Sequence, residues 1–356
     1  MTRIEMLRKE LPQSFEAALI QNDSHRFYLT HFESSAGALV ITKKDAVLII
    51  DSRYYESAKE SVRGVNVVLM DDIYHQMSDI ISGSDAKSLM IEDETSVAAF
   101  AAIKKGLRAV SPKYDSSNSL SKAILALRAV KDSDELDAIK SAQKITDDAF
   151  EYILDYIKPG MTEREIAAEL EYSMRKKGAD GFAFSTICVS GKNSSKPHGV
   201  PTDKKIERGD FITMDFGAKK NGYCSDMTRT VSAGEPCGRQ KEIYEIVLEA
   251  QSRALKAAAA GISGRALDAA ARDYITECGY GKYFGHSLGH SLGIDIHEAP
   301  GASRSSCDIL SENSIMTIEP GIYIPGEFGV RIEDMVVLKS GGIEDLTHSE
   351  RKLLVI

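Results

Sequence analysis

Asp210-Phe-Ile-Thr-Met-Asp215-Phe-Gly-Ala-Lys-Lys-Asn-Gly222-Tyr-Cys-Ser-Asp226-Met-Thr-Arg-Thr-Val231 sets two β-favouring runs on either side of Asn221-Gly222, a strong signal for a tight hairpin. A loop of Lys219 to Gly222 pairs residue 218 with 223 and puts Asp215 opposite Asp226; a loop of Asn221-Gly222 alone makes the two acids diagonal neighbours. Either register leaves both carboxylates on one face. Two carboxylates about 5 Å apart at an effective dielectric of about 20 repel by roughly 3 kcal/mol, which protonation or a cation relieves. A single pair of this kind is most often a solvated hairpin surface. A second pair changes the reading.

Downstream, Ile315-Met-Thr-Ile-Glu319-Pro-Gly321-Ile-Tyr-Ile and Gly329-Val-Arg-Ile-Glu333-Asp-Met-Val-Val-Leu338 again set acids in apolar, β-branched runs, and buried strands seldom carry acids without partners. The two regions read as copies. Lys158-Pro-Gly-Met-Thr162 recurs as Ala259-Ala-Gly-Ile-Ser263, and Thr162 to Ser263, Ile166 to Leu267 and Gly178 to Gly279 keep one offset of 101 residues. Each copy runs into a hairpin with one acid just before glycine and another on the returning strand. This predicts an internal duplication that contributes one carboxylate pair from each half.

Of eight histidines, four fall near these acids: His198 in Lys196-Pro-His-Gly, and His286, His290 and His297 in Gly285-His-Ser-Leu-Gly-His290-Ser-Leu-Gly-Ile-Asp-Ile-His297-Glu298. Three within twelve residues, interleaved with glycine, point to a site and away from isolated core histidines. His286 and His290 share a face as strand or helix, so spacing alone does not choose the metal ligand between them.

The whole chain narrows the class. At 356 residues, with 43% hydrophobic and 27% charged content, it has room for two globular domains. A net charge of −9 without any Lys/Arg-dense stripe argues against nucleic acid or a membrane surface as partner. No secretory leader and no run of 18 apolar residues is expected, and five scattered cysteines without Cys-x-x-Cys read as free thiols of a cytoplasmic protein. Cys224, two positions from Asp226, reads as packing.

Alternating runs (Gly37–Ile41, Ala46–Ile50, a helix near Tyr54–Val62, Val65–Met70, a helix near Ile73–Ile81, Ser88–Ile91, a helix near Ser96–Leu107) predict an α/β domain without a chemistry-bearing motif. Ser111 to Ser119 reads as a polar loop, followed by a short helix Leu120–Val130 and a long amphipathic one from about Asp134 to Ile157. The boundary falls near residue 126, giving domains 1–126 and 127–356. Asp132 or Ser133 caps the long helix, Pro159-Gly160 stops it, and Thr162-x-x-Glu165 is a capping box for the next. A matching helix pair spans Gln240–Ala260 and Arg265–Cys278, so the C-terminal domain is predicted to place helices outside and hairpins inside.

Pro197-His198-Gly199, Asp215-Phe-Gly, Ser225-Asp226-Met-Thr-Arg-Thr, Gly285-His-x-x-Gly-His290, His297-Glu298, Glu319-Pro-Gly-Ile-Tyr323 and Val330-Arg-Ile-Glu333-Asp334 together resemble the pita-bread metallopeptidases, in particular the proline-specific branch of aminopeptidase P and prolidase. The resemblance covers essentially the whole chain. It implies a creatinase-like α/β N-terminal domain that restricts substrate access, and an α+β pita-bread catalytic domain with a pseudo-twofold duplication. It further implies two divalent metals on Asp215, Asp226, His290, Glu319 and Glu333. Glu319 would also shuttle a proton, His297 stabilise the tetrahedral intermediate, His198 contact the substrate, and His286 line the prolyl pocket, with Arg331 and Tyr323 on the substrate side. Four carboxylates with one imidazole suit Mn²⁺ foremost, with Co²⁺, Fe²⁺ or Zn²⁺ as alternatives.

The expected reaction is cleavage of Xaa-Pro at the N-terminus of short peptides by a cytoplasmic homodimer. A strict Xaa-Pro dipeptidase and a non-catalytic binding module on the same fold are the competing readings. The chain departs from the family pattern at Ser287 and Ser291, where many relatives have glycine. It departs again at Ala299-Pro-Gly301, where some dipeptidases carry an arginine for the substrate carboxylate; the nearest here is Arg304.

Overall fold

The computed structural model describes residues 1–356, which form two compact units, Met1–Arg128 and Ala129–Ile356. In chain order the first contains α1 (Arg3–Glu10), β1 (Ala17–Ile20), α2 (Asp23–Thr30), β2 (Ala38–Thr42), β3 (Ala46–Ile50), α3 (Tyr55–Ser61), β4 (Asn66–Leu69), α4 (Ile73–Gly83), β5 (Ser88–Ile91), α5 (Val97–Gly106), β6 (Lys113–Asp115) and all but the last residue of α6 (Ser119–Ala129). One six-stranded sheet runs β4-β3-β2-β1-β5-β6, antiparallel across β1, β2 and β3 and parallel elsewhere.

The uninterrupted apolar runs of β2 and β3 are buried along their whole length, as strands covered on both faces require. Leu19, Val40, Ile49, Met77, Leu89 and Ile103 meet in the core. Two features correct the sequence reading. The segment read as a polar loop contains β6, a three-residue edge strand of Lys113, Tyr114 and Asp115. Near the centre of the sheet lies β1, whose Ala-Ala-Leu-Ile sequence carries little β-propensity and is held there by burial on both faces.

The second unit opens with α7 (Ser133–Tyr156) and α8 (Glu163–Lys176), then β7 (Gly181–Phe182), β8 (Ile187–Ser190), β9 (Phe211–Phe216), β10 (Ala218–Lys220), β11 (Tyr223–Cys224) and β12 (Met227–Ser232). After these come α9 (Gly238–Ala257), α10 (Gly264–Glu277), β13 (Gly289–Ser291), β14 (Glu298–Ala302), β15 (Ile315–Ile318), β16 (Gly321–Ile324), β17 (Phe328–Arg331), β18 (Asp334–Lys339) and β19 (Gly342–Asp345). Asp132 caps α7 through a capping box with Glu135, and Thr162 caps α8 with Glu165. The stripe Ala138, Ile139, Ala142, Ile145, Ala149, Phe150 and Ile153 turns α7 inward at helical spacing.

The two halves have separate cores of the same construction. Ile145, Phe150, Ile166 and Leu170 pack on Met214, Phe216 and Val231 in one; Val247, Leu267 and Ile275 pack on Met316, Ile322 and Val336 in the other. Thr162 and Ser263 are equivalent helix caps, and Gly178 and Gly279 both take left-handed conformations just past the helix ends. The helix pairs cover the outside, and the acid-bearing hairpins face each other inside, with Glu333 N–H bonding the Thr228 carbonyl at 3.1 Å. Behind that contact the buried Arg229 donates to Asp334 Oδ1 at 2.6 Å and to the Glu333 carbonyl, pinning one hairpin to the other.

Candidate metal centre

Asn221 and Gly222 both have positive φ, 51° and 81°, and Lys220 pairs with Tyr223, so the first hairpin closes on a two-residue turn. Its register continues through Phe216↔Met227 and Asp215↔Thr228. Asp215 and Asp226 are therefore diagonal neighbours, Asp215 near the end of β9 and Asp226 in the break between β11 and β12. That break is held from behind: Ser225 Oγ and Thr146 Oγ1 lie 2.8 Å apart and both accept from the Ala218 N–H at 3.0 Å. In the second half, Ile318↔Asp334 and Gly321↔Arg331 keep one register, which sets Glu319 and Glu333 across from one another at the break between the two ladders.

His290 on β13 completes the group. Its Nδ1 lies 3.1 Å from the Ser291 carbonyl, which can only accept, so Nδ1 carries the proton and Nε2 offers a lone pair to the acids. Nε2 is 3.6 Å from Asp226 Oδ2 and 3.5 Å from Glu319 Oε1. Ligand atoms of Asp226, His290 and Glu333 lie within 4.8 Å of one another.

Three buried carboxylate oxygens, Asp215 Oδ1, Asp226 Oδ1 and Glu333 Oε1, have no hydrogen-bond donor. Such atoms are costly unless a cation or a proton meets them. Burial, and then the neighbouring acids, drive Asp226 and Glu333 well above the ordinary carboxylate range. Burial likewise pushes Glu319 up to about 8, against the opposing charge of Arg331. Burial depresses His290 to about 4, so its imidazole is neutral. Orphaned oxygens, crowded acids and a free imidazole lone pair are a donor set that fits divalent cations.

Arg331 links this set to the surrounding wall. Nη2 donates to Asp215 Oδ2 at 2.6 Å, Nε to Thr228 Oγ1 at 2.9 Å, and Nη1 to Tyr323 Oη at 2.7 Å and the Pro197 carbonyl at 3.2 Å. Thr228 Oγ1 in turn donates to Glu333 Oε2 at 2.7 Å. Tyr323 Oη lies 3.0 Å from His286 Nε2, while His286 Nδ1 donates to the Ser287 carbonyl. Burial, with Arg331 beside it, lowers His286 to about 3, so it too is neutral and takes the Tyr323 proton in a hydrogen bond. The His297 ring stands edge-on to His290, centroids 4.5 Å apart.

A cavity of about 410 Å³ gathers these groups: His198, Asp215, Asp226, His286, His290, His297, Glu319, Arg331 and Glu333 all line it, and Tyr323 sits behind His286 and Arg331. Phe184, Ile187 and Ile296 form its apolar wall, which no sequence signal marked. Thr228 and Thr317, the hydroxyls that orient Glu333 and Glu319, also escaped the sequence reading, although the hairpin register places Thr228 beside Asp215. Cys224 turns its thiol to the Ile294 carbonyl at 3.5 Å, in a packing role.

Residues 137–340 match the model of metallopeptidase family M24, and residues 3–130 match that of the creatinase/prolidase N-terminal domain. The chain is 40% identical over 344 residues to the Xaa-Pro dipeptidase of Pyrococcus horikoshii, spanning 96% of this chain and 95% of that one. Among solved structures, an Xaa-Pro dipeptidase from Bacillus anthracis superposes with a TM-score of 0.95 at 42% identity, covering 99% of both chains. An X-Pro aminopeptidase from Thermotoga maritima superposes at 0.92 with 41% identity, covering 98% of this chain and 99% of that one. This chain belongs to metallopeptidase family M24, with a creatinase/prolidase N-terminal domain joined to a pita-bread catalytic domain.

Proposed function

We propose that this protein hydrolyses the peptide bond between an N-terminal residue and a following proline in short peptides. The observation that carries the reading is the convergence of Asp226, His290 and Glu333 within 4.8 Å, beside orphaned oxygens of Asp215, Asp226 and Glu333. Asp215, Asp226, His290, Glu319 and Glu333 would hold two divalent ions, Mn²⁺ foremost. Ions held there supply Lewis acidity toward water and the scissile carbonyl.

The residues around them divide the remaining work. Glu319 takes the proton of the attacking water and returns one to the prolyl nitrogen, which leaves as a neutral amine only once protonated. His297 donates to the developing oxyanion. A bond to proline has no N–H, so recognition by extended backbone pairing loses a donor there. The apolar wall of Phe184, Ile187 and Ile296 and the neutral His286 recognise the ring by shape instead. His198, carried on the loop whose Pro197 carbonyl is fixed by Arg331, contacts the same part of the substrate.

The reading favours an aminopeptidase over a strict dipeptidase. Arg331 is the one Arg or Lys lining the cavity, and it is committed to Asp215, Tyr323 and Pro197, so it is not the anchor for a dipeptide carboxylate. The resemblance extends the proposal to a cytoplasmic homodimer whose N-terminal domain limits substrate length; no helix is long and apolar enough to cross a membrane. The test is metal analysis before and after chelation, with hydrolysis of an Xaa-Pro dipeptide and an Xaa-Pro-Yaa tripeptide. Two equivalents of metal and faster tripeptide cleavage are expected. Metal without cleavage of either substrate refutes the enzymatic reading.

A further inference from the structure

Lys131 is 2% exposed and ion-paired with Glu298, whose Oε2 lies 3.0 Å from the Lys131 ammonium. A buried pair of this kind gains little for stability, because desolvating both charges offsets most of their attraction. Its placement matters more. The same ammonium reaches Ser291 Oγ at 3.5 Å. Ser291 follows His290 and its carbonyl fixes the His290 ring, while Glu298 follows His297. One cation thus touches the residue next to each of two site histidines.

The strands it joins are irregular. β13 and β14 pair His290 with Gly301 but Ser291 with Glu298, a break in register between adjacent residues of β13. Such bulges re-aim side chains and leave the local geometry without ladder hydrogen bonds to define it. At this bulge the definition comes from side chains. Glu298 Oε1 accepts the Asp295 N–H at 3.2 Å, and a Cβ on Gly293 would lie 2.9 Å from Glu298 Oε2, so the loop from Leu292 to His297 wraps closely round the carboxylate that Lys131 neutralises. The Gly293 carbonyl also accepts from Cys224 N–H at 2.7 Å, tying that loop to the hairpin of Asp226.

We infer that Lys131 is a positioning residue for the reaction proposed above: through Ser291 and Glu298 it sets the spacing of His290 and His297 across the bulge. The inference rests on that reading of the site. Ser291 is on this account the hydroxyl through which the ammonium reaches the His290 strand.

The test uses the full-length, metal-loaded chain and two variants, Lys131→Met and Lys131→Met combined with Glu298→Gln. The first removes the cation that neutralises the buried Glu298 carboxylate; the second removes both charges. The expected result is a kcat on an Xaa-Pro-Yaa tripeptide lower by on the order of tenfold to a hundredfold in both variants, with KM and bound metal held, since small misplacements of a reacting group act at this scale. The double variant regains the melting temperature without regaining kcat. Nitrogen-15 spectra of histidine-labelled, metal-free protein show His290 and His297 ring resonances displaced in both variants. Wild-type kcat in Lys131→Met, recovery of kcat together with melting temperature in the double variant, or undisturbed ring resonances would each overturn the inference. If Lys131→Met does not fold, the double variant carries the same comparison. Failure of the wild type to cleave any Xaa-Pro peptide refutes the proposed function, and the histidine resonances then still decide the positioning role.

Discussion

Arg331 and Asp215 meet through Nη2 and Oδ2 at 2.6 Å, and the other arm of the same guanidinium holds Tyr323 at 2.7 Å. A candidate metal ligand and the hydroxyl that bonds His286 are therefore set by a single rigid plane.

Lysine in place of Arg331 keeps the charge and loses the fork. Arg331→Lys is expected to lower kcat/KM roughly thirtyfold, about 2 kcal/mol for the lost charge-assisted bonds, with metal content largely kept. Steady-state kinetics on an Xaa-Pro-Yaa tripeptide with metal analysis of the same sample is the check. Wild-type kinetics would show that Asp215 and Tyr323 hold their places unaided.

Glu319→Gln retains an oxygen donor and removes the proposed proton carrier. Turnover is expected to fall by about two to four orders of magnitude, the range of general acid–base catalysis, while most of the metal remains bound. Full activity in this variant would remove Glu319 from proton transfer.

Metal removal is expected to make stability depend on pH in a defined direction. Glu319 is raised to about 8, and Asp226 and Glu333 are raised as well, while the depressed His286 and His290 are neutral in both states above about pH 6.5, so between there and pH 8 these groups hold more protons in the folded, metal-free chain than in the unfolded one. Stability then falls as pH rises through that window. Thermal melts of chelator-treated protein from about pH 6.5 to pH 8 are expected to slope downward, and Mn²⁺ added at pH 8 is expected to raise the midpoint. A flat profile in the metal-free chain would contradict the crowding of acids on which the site is built.

Gly289 precedes His290, and a Cβ there would lie 1.8 Å from the Thr317 carbonyl oxygen, a backbone atom that cannot swing aside. Gly289→Ala is expected to destabilise the fold by about 3 kcal/mol or more and to displace His290 from the acids. Denaturant unfolding measures the first effect and metal affinity the second.

Much of this arrangement is visible in the residue order. Asn221-Gly222 announces the first hairpin, and the offset that maps Thr162 onto Ser263 announces the repeat, because caps and turns are local chemistry. The sequence leaves the register of Asp215 and Asp226 open since both loop lengths put them on one face; the positive φ of Asn221 and Gly222 selects the diagonal pairing. β1 escapes notice because alanine-rich strands are specified by what surrounds them, and α2 because Asp23–Thr30 buries His25 and Arg26 alongside Tyr28 and Leu29, which blurs its apolar stripe. Lys131 and Glu298 lie 167 positions apart, and no periodicity connects residues that meet only after folding.

The division of the site between two copies of one motif has a consequence for synthesis. A nascent chain that has emerged only as far as Val231 contains Asp215 and Asp226, but His290, Glu319 and Glu333 are still unmade. Such a half-built product carries two of the five candidate ligands. The full set of candidate ligands is therefore present only once Glu333 has been made.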